Sequence, residues 1–257
     1  MTAVALPFRL ELRKQRRGRL VSYTVLIFGL WAMWTAGLVS HRAGNGGSFA
    51  GLEFAFLDVM GMAELFSPIF IAVAAAQLVA VDHQERIGQV FDALGQPRWL
   101  RFVAKLVILN LLSAAGSLLL VGVSLGVGRA NGMSAGPELA AVATRGMLVL
   151  LLAAVPVAAV QLALAMRFPE RPVTLIVGVV GAFVASSLSP LRIAEVGWLL
   201  PWGILVGASP VERSYRFADR LQLLTGTTAS DTALLVVLAA AWTAAAIWYT
   251  TRTRELS

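Results

Sequence analysis

Six stretches of this chain contain no Asp, Glu, Lys or Arg: Leu20 to Ser40, Leu65 to Val81, Leu106 to Gly128, Gly146 to Met166, Pro172 to Leu191 and Thr232 to Thr251. A bilayer core about 30 Å thick needs about 20 apolar residues at 1.5 Å each, so each stretch predicts a membrane-spanning helix. A seventh uncharged stretch, Val196 to Val211, is shorter and broken by Pro201, Gly203 and Gly207. Trp198 and Trp202 lie within it, and tryptophan favours the membrane interface. It therefore predicts a helix–break–helix hairpin over 192–211 that dips into the outer leaflet rather than a crossing.

Between the second and third stretches the pattern changes. In Asp82–Arg98 (DHQERIGQVFDALGQPR), Ile87, Val90, Phe91 and Leu94 recur at i, i+3, i+4 and i+7, one face of a helix, while Asp82, Glu85, Arg86 and Asp92 fill the rest of the turn. Gly95 and Pro97 then stop it. A short amphipathic helix over 82–96, held between two apolar runs, reads as a docking surface for another protein.

Composition makes the membrane reading firmer. The chain is 58% hydrophobic and 14% charged, against about 25% charged in an average soluble domain. Its net charge of +7 follows topology rather than nucleic-acid binding. With a cytoplasmic N-terminus, the outer segments hold only Arg42, Arg129, Arg145, Arg192, Arg213, Arg216 and Arg220, and the other fourteen of the 21 Lys and Arg fall inside, as the positive-inside rule requires. Phe8–Arg19 alone carries six cations and predicts a helix over 8–19 lying along the inner surface. The apolar run after it is too long for a signal peptide and reads as an uncleaved first span.

The fold class expected is an all-α membrane protein, a single domain over 1–257 with both termini cytoplasmic. Its six spans run over about 20–40, 60–81, 103–128, 143–166, 172–191 and 232–251. His41–Asp58 reads as a Gly-rich outer loop and Arg129–Glu138 as a short outer turn. Arg167–Pro172, stiffened by two prolines, reads as a tight inner turn that makes the fourth and fifth spans antiparallel neighbours. The run VERSYRFADR reads as an exposed surface helix or loop.

Candidate chemistry is sparse. No G-x-x-x-x-G-K-[ST] phosphate loop, H-E-x-x-H or G-x-S-x-G occurs, and the absence of cysteine removes zinc–thiolate sites and thiol catalysis. His41 and His83 have no constellation of ligands around them. No catalytic residue, metal or cofactor of the chain's own is expected, and no enzyme activity. Ionisable residues within spans are functional candidates by default. Here Glu64 is the nearest case, and with Gln77, Asn110 and Gln161 it makes a small set of pathway or helix-interface residues. Such scarcity argues against proton- or sodium-coupled transport, although a stand-alone secondary transporter or channel remains the alternative reading.

Taken together, the basic N-terminal segment, six spans with both ends inside, the long outer hairpin and the junction AVDHQERIGQVFDALGQPRWLRFVAKL resemble the membrane subunits of ATP-binding-cassette exporters of the type-2 permease class. The closest subgroup in length and style is that of lantibiotic self-immunity and related peptide-exporter permeases. One departure is that Ile87-Gly88-Gln89 stands where the family commonly has Gly-Thr. The resemblance implies that Gln84, Glu85, Arg86, Ile87, Gln89, Val90, Phe91 and Leu94 form the coupling helix seated in an ATPase subunit, and that Arg98, Trp99 and Lys105 anchor the return into the membrane. It implies two ATPase subunits carrying the ATP and magnesium, a second permease copy, identical or homologous, surrounding membrane lipid, and no nucleic acid. It further implies a bacterial cytoplasmic (inner) membrane location and a role in antibiotic or peptide resistance. The cargo would be an amphipathic peptide, a drug or a lipid.

Overall fold

The computed structural model describes residues 20–45, 51–84, 97–137, 139–168, 171–191, 193–209, 211–213, 221–223 and 229–252. The chain is almost entirely helical over these residues: α1 (Leu20–Asn45), α2 (Leu52–Gln84), α3 (Arg98–Ala130), α4 (Leu139–Arg167), α5 (Arg171–Leu188), the single turn α6 (Ile204–Gly207) and α7 (Ala229–Arg252). The surface helix expected over 8–19 lies outside the described residues. Among those described, α1, α2, α3, α4 and α7 are long and apolar enough to cross a membrane, while α5, apolar from Pro172 to Leu188, falls short of that length.

The helices outrun the uncharged windows that announce them. At 1.5 Å per residue the 33 residues of α2, and equally of α3, span about 50 Å, more than the hydrocarbon core. Their ends can therefore carry charge. The outer loop expected at His41–Asp58 shrinks accordingly, because His41–Asn45 closes α1 and Leu52–Asp58 opens α2. A bidentate pair makes this possible. Arg42 donates to Asp58 through Nε at 3.0 Å and Nη2 at 2.6 Å, holding the ends of α1 and α2 together.

The bundle is built around α2 and α4. In each, 61% of the apolar window is buried, against 22% in α1, 33% in α3 and 17% in α7. Phe56, Phe70, Leu78, Phe102, Leu109 and Leu162 fill the interior. Close approach depends on missing side chains. A Cβ on Gly116 of α3 would overlap the Phe28 ring of α1, and one on Gly146 of α4 would overlap Phe56 and Met60 of α2. Gly178 of α5 lies against both Ala72 of α2 and Gln161 of α4. The contacts of Gly146 with Phe56 and Met60, and the meeting of Ala72 and Gln161 on Gly178, give offsets of 86 to 90 residues in the same direction, so α2 and α4 run parallel. Both helices carry an interior proline, Pro68 and Pro156.

α3 runs antiparallel to α2. Ser124 donates to the Ala55 carbonyl at 2.7 Å near the upper end, and Lys105 meets Leu78 near the lower end, the end that carries Gln84 and Arg98. Beyond α5 the chain turns at Ser189–Leu191, forms a 3-10 helix over Ala194–Leu199, turns again at Pro201 and enters α6. Ile204, Leu205 and Val206 point into the bundle, while Leu199 is 74% exposed. Gly197 and Gly203 bring the two arms of this hairpin into backbone contact. The run expected as a surface helix or loop instead opens with a strand: β1 (Val211–Arg213) pairs antiparallel with β2 (Leu221–Leu223), Glu212 opposite Gln222.

Candidate functional site

The segment read as a docking helix leaves α2 and returns through α3, and these two helices are locked to each other near the ends that it joins. Lys105 sits seven residues into α3 and is only 1% exposed. Its ammonium lies 2.9 Å from the Asp82 carboxylate and donates to the Leu78 carbonyl at 3.2 Å. An ammonium taken out of water costs several kcal/mol unless it is paired and its remaining donors are satisfied. Asp82 supplies the pairing, and the Leu78 carbonyl takes a second of the three ammonium donors. Asp82 is the more hydrated partner, with its side chain 19% exposed.

The local sequence explains the clasp. Asp82 is the first charge after the uncharged run of α2, and Lys105 follows Phe102 into the apolar part of α3. Pro97 precedes α3 in an extended conformation (φ −66°, ψ 138°) and passes the chain into the helix at Arg98. Trp99, 49% exposed, and the half-buried Arg98 occupy the first turn of α3, a composition suited to a membrane surface.

No family model, curated protein or solved structure matches this chain. The site therefore rests on its own residues.

Of the eight docking residues expected, Gln84 closes α2 as backbone. Glu85, Arg86, Ile87, Gln89, Val90, Phe91 and Leu94 lie outside the described residues, between two ends that the clasp fixes. All three expected anchors stand on the first eight residues of α3, and Lys105 grips the neighbouring helix. Sequence reading named Asp82 as the start of the docking segment but missed it as the partner of Lys105. The available signal was a lysine opening a span opposite an acid closing the span before. Arg42 and Asp58 carried the same signal at the other end.

The four polar span residues do not form one site. Glu64 is buried (5% exposed) in α2, twelve residues from its start, hence about 18 Å along the helix. Gln77 lies thirteen residues further down α2 and is half-buried. Asn110 turns back on its own helix, donating to the Leu106 carbonyl at 2.9 Å. Gln161 is fully buried between α4 and α5. With the Gln161 amide turned so that its oxygen meets the two N–H groups around it, the orientation that satisfies every neighbour, its nitrogen donates to the Thr174 carbonyl at 3.1 Å and its oxygen accepts from the Gly178 N–H and the Trp202 indole, both at 3.2 Å. It is a helix-interface residue that also reaches the hairpin. Among the described residues no group of His, Cys, Asp and Glu could hold a metal ion.

Proposed function

We propose that this chain is the membrane-spanning subunit of an ATP-driven exporter of the type-2 permease class, and that 82–98 docks on a separate ATPase subunit. The observation that supports this reading most is the Asp82–Lys105 clasp. A loop meant only to connect two helices has no need of a buried ion pair at its base. A loop that receives force does, because the clasp makes the ends of α2 and α3 move as one body with whatever seats the segment.

In this reading the lower end is cytoplasmic, and α5 with the following hairpin supplies the sixth crossing. Two copies face each other with two ATPase subunits beneath. Closure of the ATPases on ATP displaces the docking segments, and the clasp passes the displacement to α2, one of the two central helices of the bundle. The energy comes from the partner, and the cargo class is an amphipathic peptide, drug or lipid.

The test is co-expression with an ATPase encoded in a neighbouring reading frame. Co-purification from membranes with stimulated ATP hydrolysis is expected, and Val90→Pro or the double reversal Glu85→Arg with Arg86→Glu should abolish the stimulation while the chain stays in the membrane. Full stimulation in both variants would overturn the reading. A carrier that works alone is favoured by one observation, the buried Glu64. It would require Glu64→Gln to abolish transport in vesicles containing this chain without an ATPase.

A further inference from the structure

Gln161 does more than bridge two helices. Its amide spans the Thr174 carbonyl and the Gly178 N–H, the two groups that close one turn of α5, and it also takes the indole proton of Trp202 from the hairpin. The Trp202 ring lies on Gly181, where any Cβ would overlap it. Gly181 stands seven residues before the end of α5, so Trp202 reaches about 10 Å below the upper end of that helix.

The hairpin has the properties of a rigid body. A Cβ on Gly197 would strike backbone atoms of Gly203 and Gly207, and the Trp198 ring lies on Gly207, so the two arms interlock closely. Its bundle-facing side, Ile204, Leu205 and Val206, is wholly apolar. In a membrane such a surface gains little by leaving lipid for protein, because acyl chains are as apolar as Leu. The directional tie through Trp202 is then what distinguishes the seated hairpin from an unseated one.

We propose that Ala194–Gly207 is a movable gate at the upper end of the α4–α5 groove, latched by the Trp202–Gln161 hydrogen bond. Its role as a gate rests on the transport reading above; the latch itself does not. Unseating lifts Ile204 and Leu205 from the central core and Val206 from Ala185 and Leu188 of α5, and leaves the Gln161 amide bridged to α5, so the groove opens without stranding that amide.

The chain has no cysteine, which makes the latch directly measurable. Val206→Cys, at a position only 4% exposed, is introduced into the full chain. The protein is reconstituted alone in lipid nanodiscs, where both faces meet solvent, and the rate of labelling by a charged maleimide is followed. Interhelical hydrogen bonds in membranes are worth about 0.6 and at most about 1.7 kcal/mol, so Trp202→Phe and Gln161→Leu should each speed labelling roughly three- to twentyfold. The two together should do no more than either alone. Trp202→Phe keeps an aromatic ring beside Gly181 and removes the donor together with the pyrrole half of the indole, so an unchanged rate in that variant remains decisive if Gln161→Leu fails to fold. An unchanged rate in Trp202→Phe, or effects that multiply in the double variant, overturns the latch. With no ATPase in the nanodisc, that result leaves the docking reading standing, and failure to bind an ATPase leaves the latch standing.

Discussion

Lys105 shows how a residue that looks like an anchor to the membrane surface becomes a fastener inside the protein. Because it is nearly sealed and Asp82 is partly hydrated, the two halves of the pair are unequal. Asp82→Ala should cost about 3–5 kcal/mol by leaving a buried ammonium uncompensated, whereas Lys105→Met should cost less, since the remaining carboxylate reaches water. Asp82→Leu combined with Lys105→Met should be more stable than Asp82→Ala alone. Thermal unfolding in detergent ranks the three. A Lys105→Met loss equal to or greater than that of Asp82→Ala would show that the ammonium is not the costly partner. A second residue-scale test lies at Gly116, where Gly116→Leu must displace the Phe28 ring from its contact with Phe70, 4.6 Å between centroids. Overpacking of this kind costs about 1–3 kcal/mol, measurable in the same assay.

At the scale of elements, absence of charge located the long helices but not their ends. Leu65–Val81 has no charge, yet α2 begins at Leu52, because Glu53, Asp58 and Glu64 are accommodated within a helix longer than the bilayer is thick. A carboxylate such as Asp58 is legible as helical only once its cation, Arg42 on another helix, is known. Pairings of that kind are tertiary and leave no local pattern. The hairpin was legible for the opposite reason: Pro201, Gly203 and Gly207 break the apolar run where the backbone turns. The pair β1–β2 was not, since three-residue strands fall below the length at which alternation can be distinguished from chance. The clasp was half legible, through Lys105 alone. An element-scale consequence concerns the base of the docking segment. Charge exchange by Asp82→Lys with Lys105→Asp should restore more ATPase stimulation than either single change, and equal loss in all three variants would show that the pair positions nothing.

For the whole molecule, the count of crossings decides where the ends lie. Five helices meet the length of a span, and α5 is shorter. If α5 and the hairpin complete a sixth crossing, both termini lie on one side; if not, they lie on opposite sides. A reporter that fluoresces only in the cytoplasm, fused in turn to each terminus, should be bright at both. Brightness at one terminus alone would restrict the fold to an odd number of crossings and remove the arrangement on which the exporter reading depends.

The register between α2 and α4 carries a mechanical consequence. An offset of 86 to 90 residues sets Pro68 level with Pro156. Each proline lacks the N–H that would otherwise reach back four residues, so the carbonyls of Glu64 and Leu152 lose their helical donors at one depth in the membrane. The two central helices thus share a compliant plane across the middle of the bundle. The clasp lies below that plane and the hairpin enters from above it, yet Trp202 takes hold of Gln161 five residues past Pro156. Its hydrogen bond is a cross-brace over the hinge, and tilting of one half against the other must either carry the hairpin along or let it go.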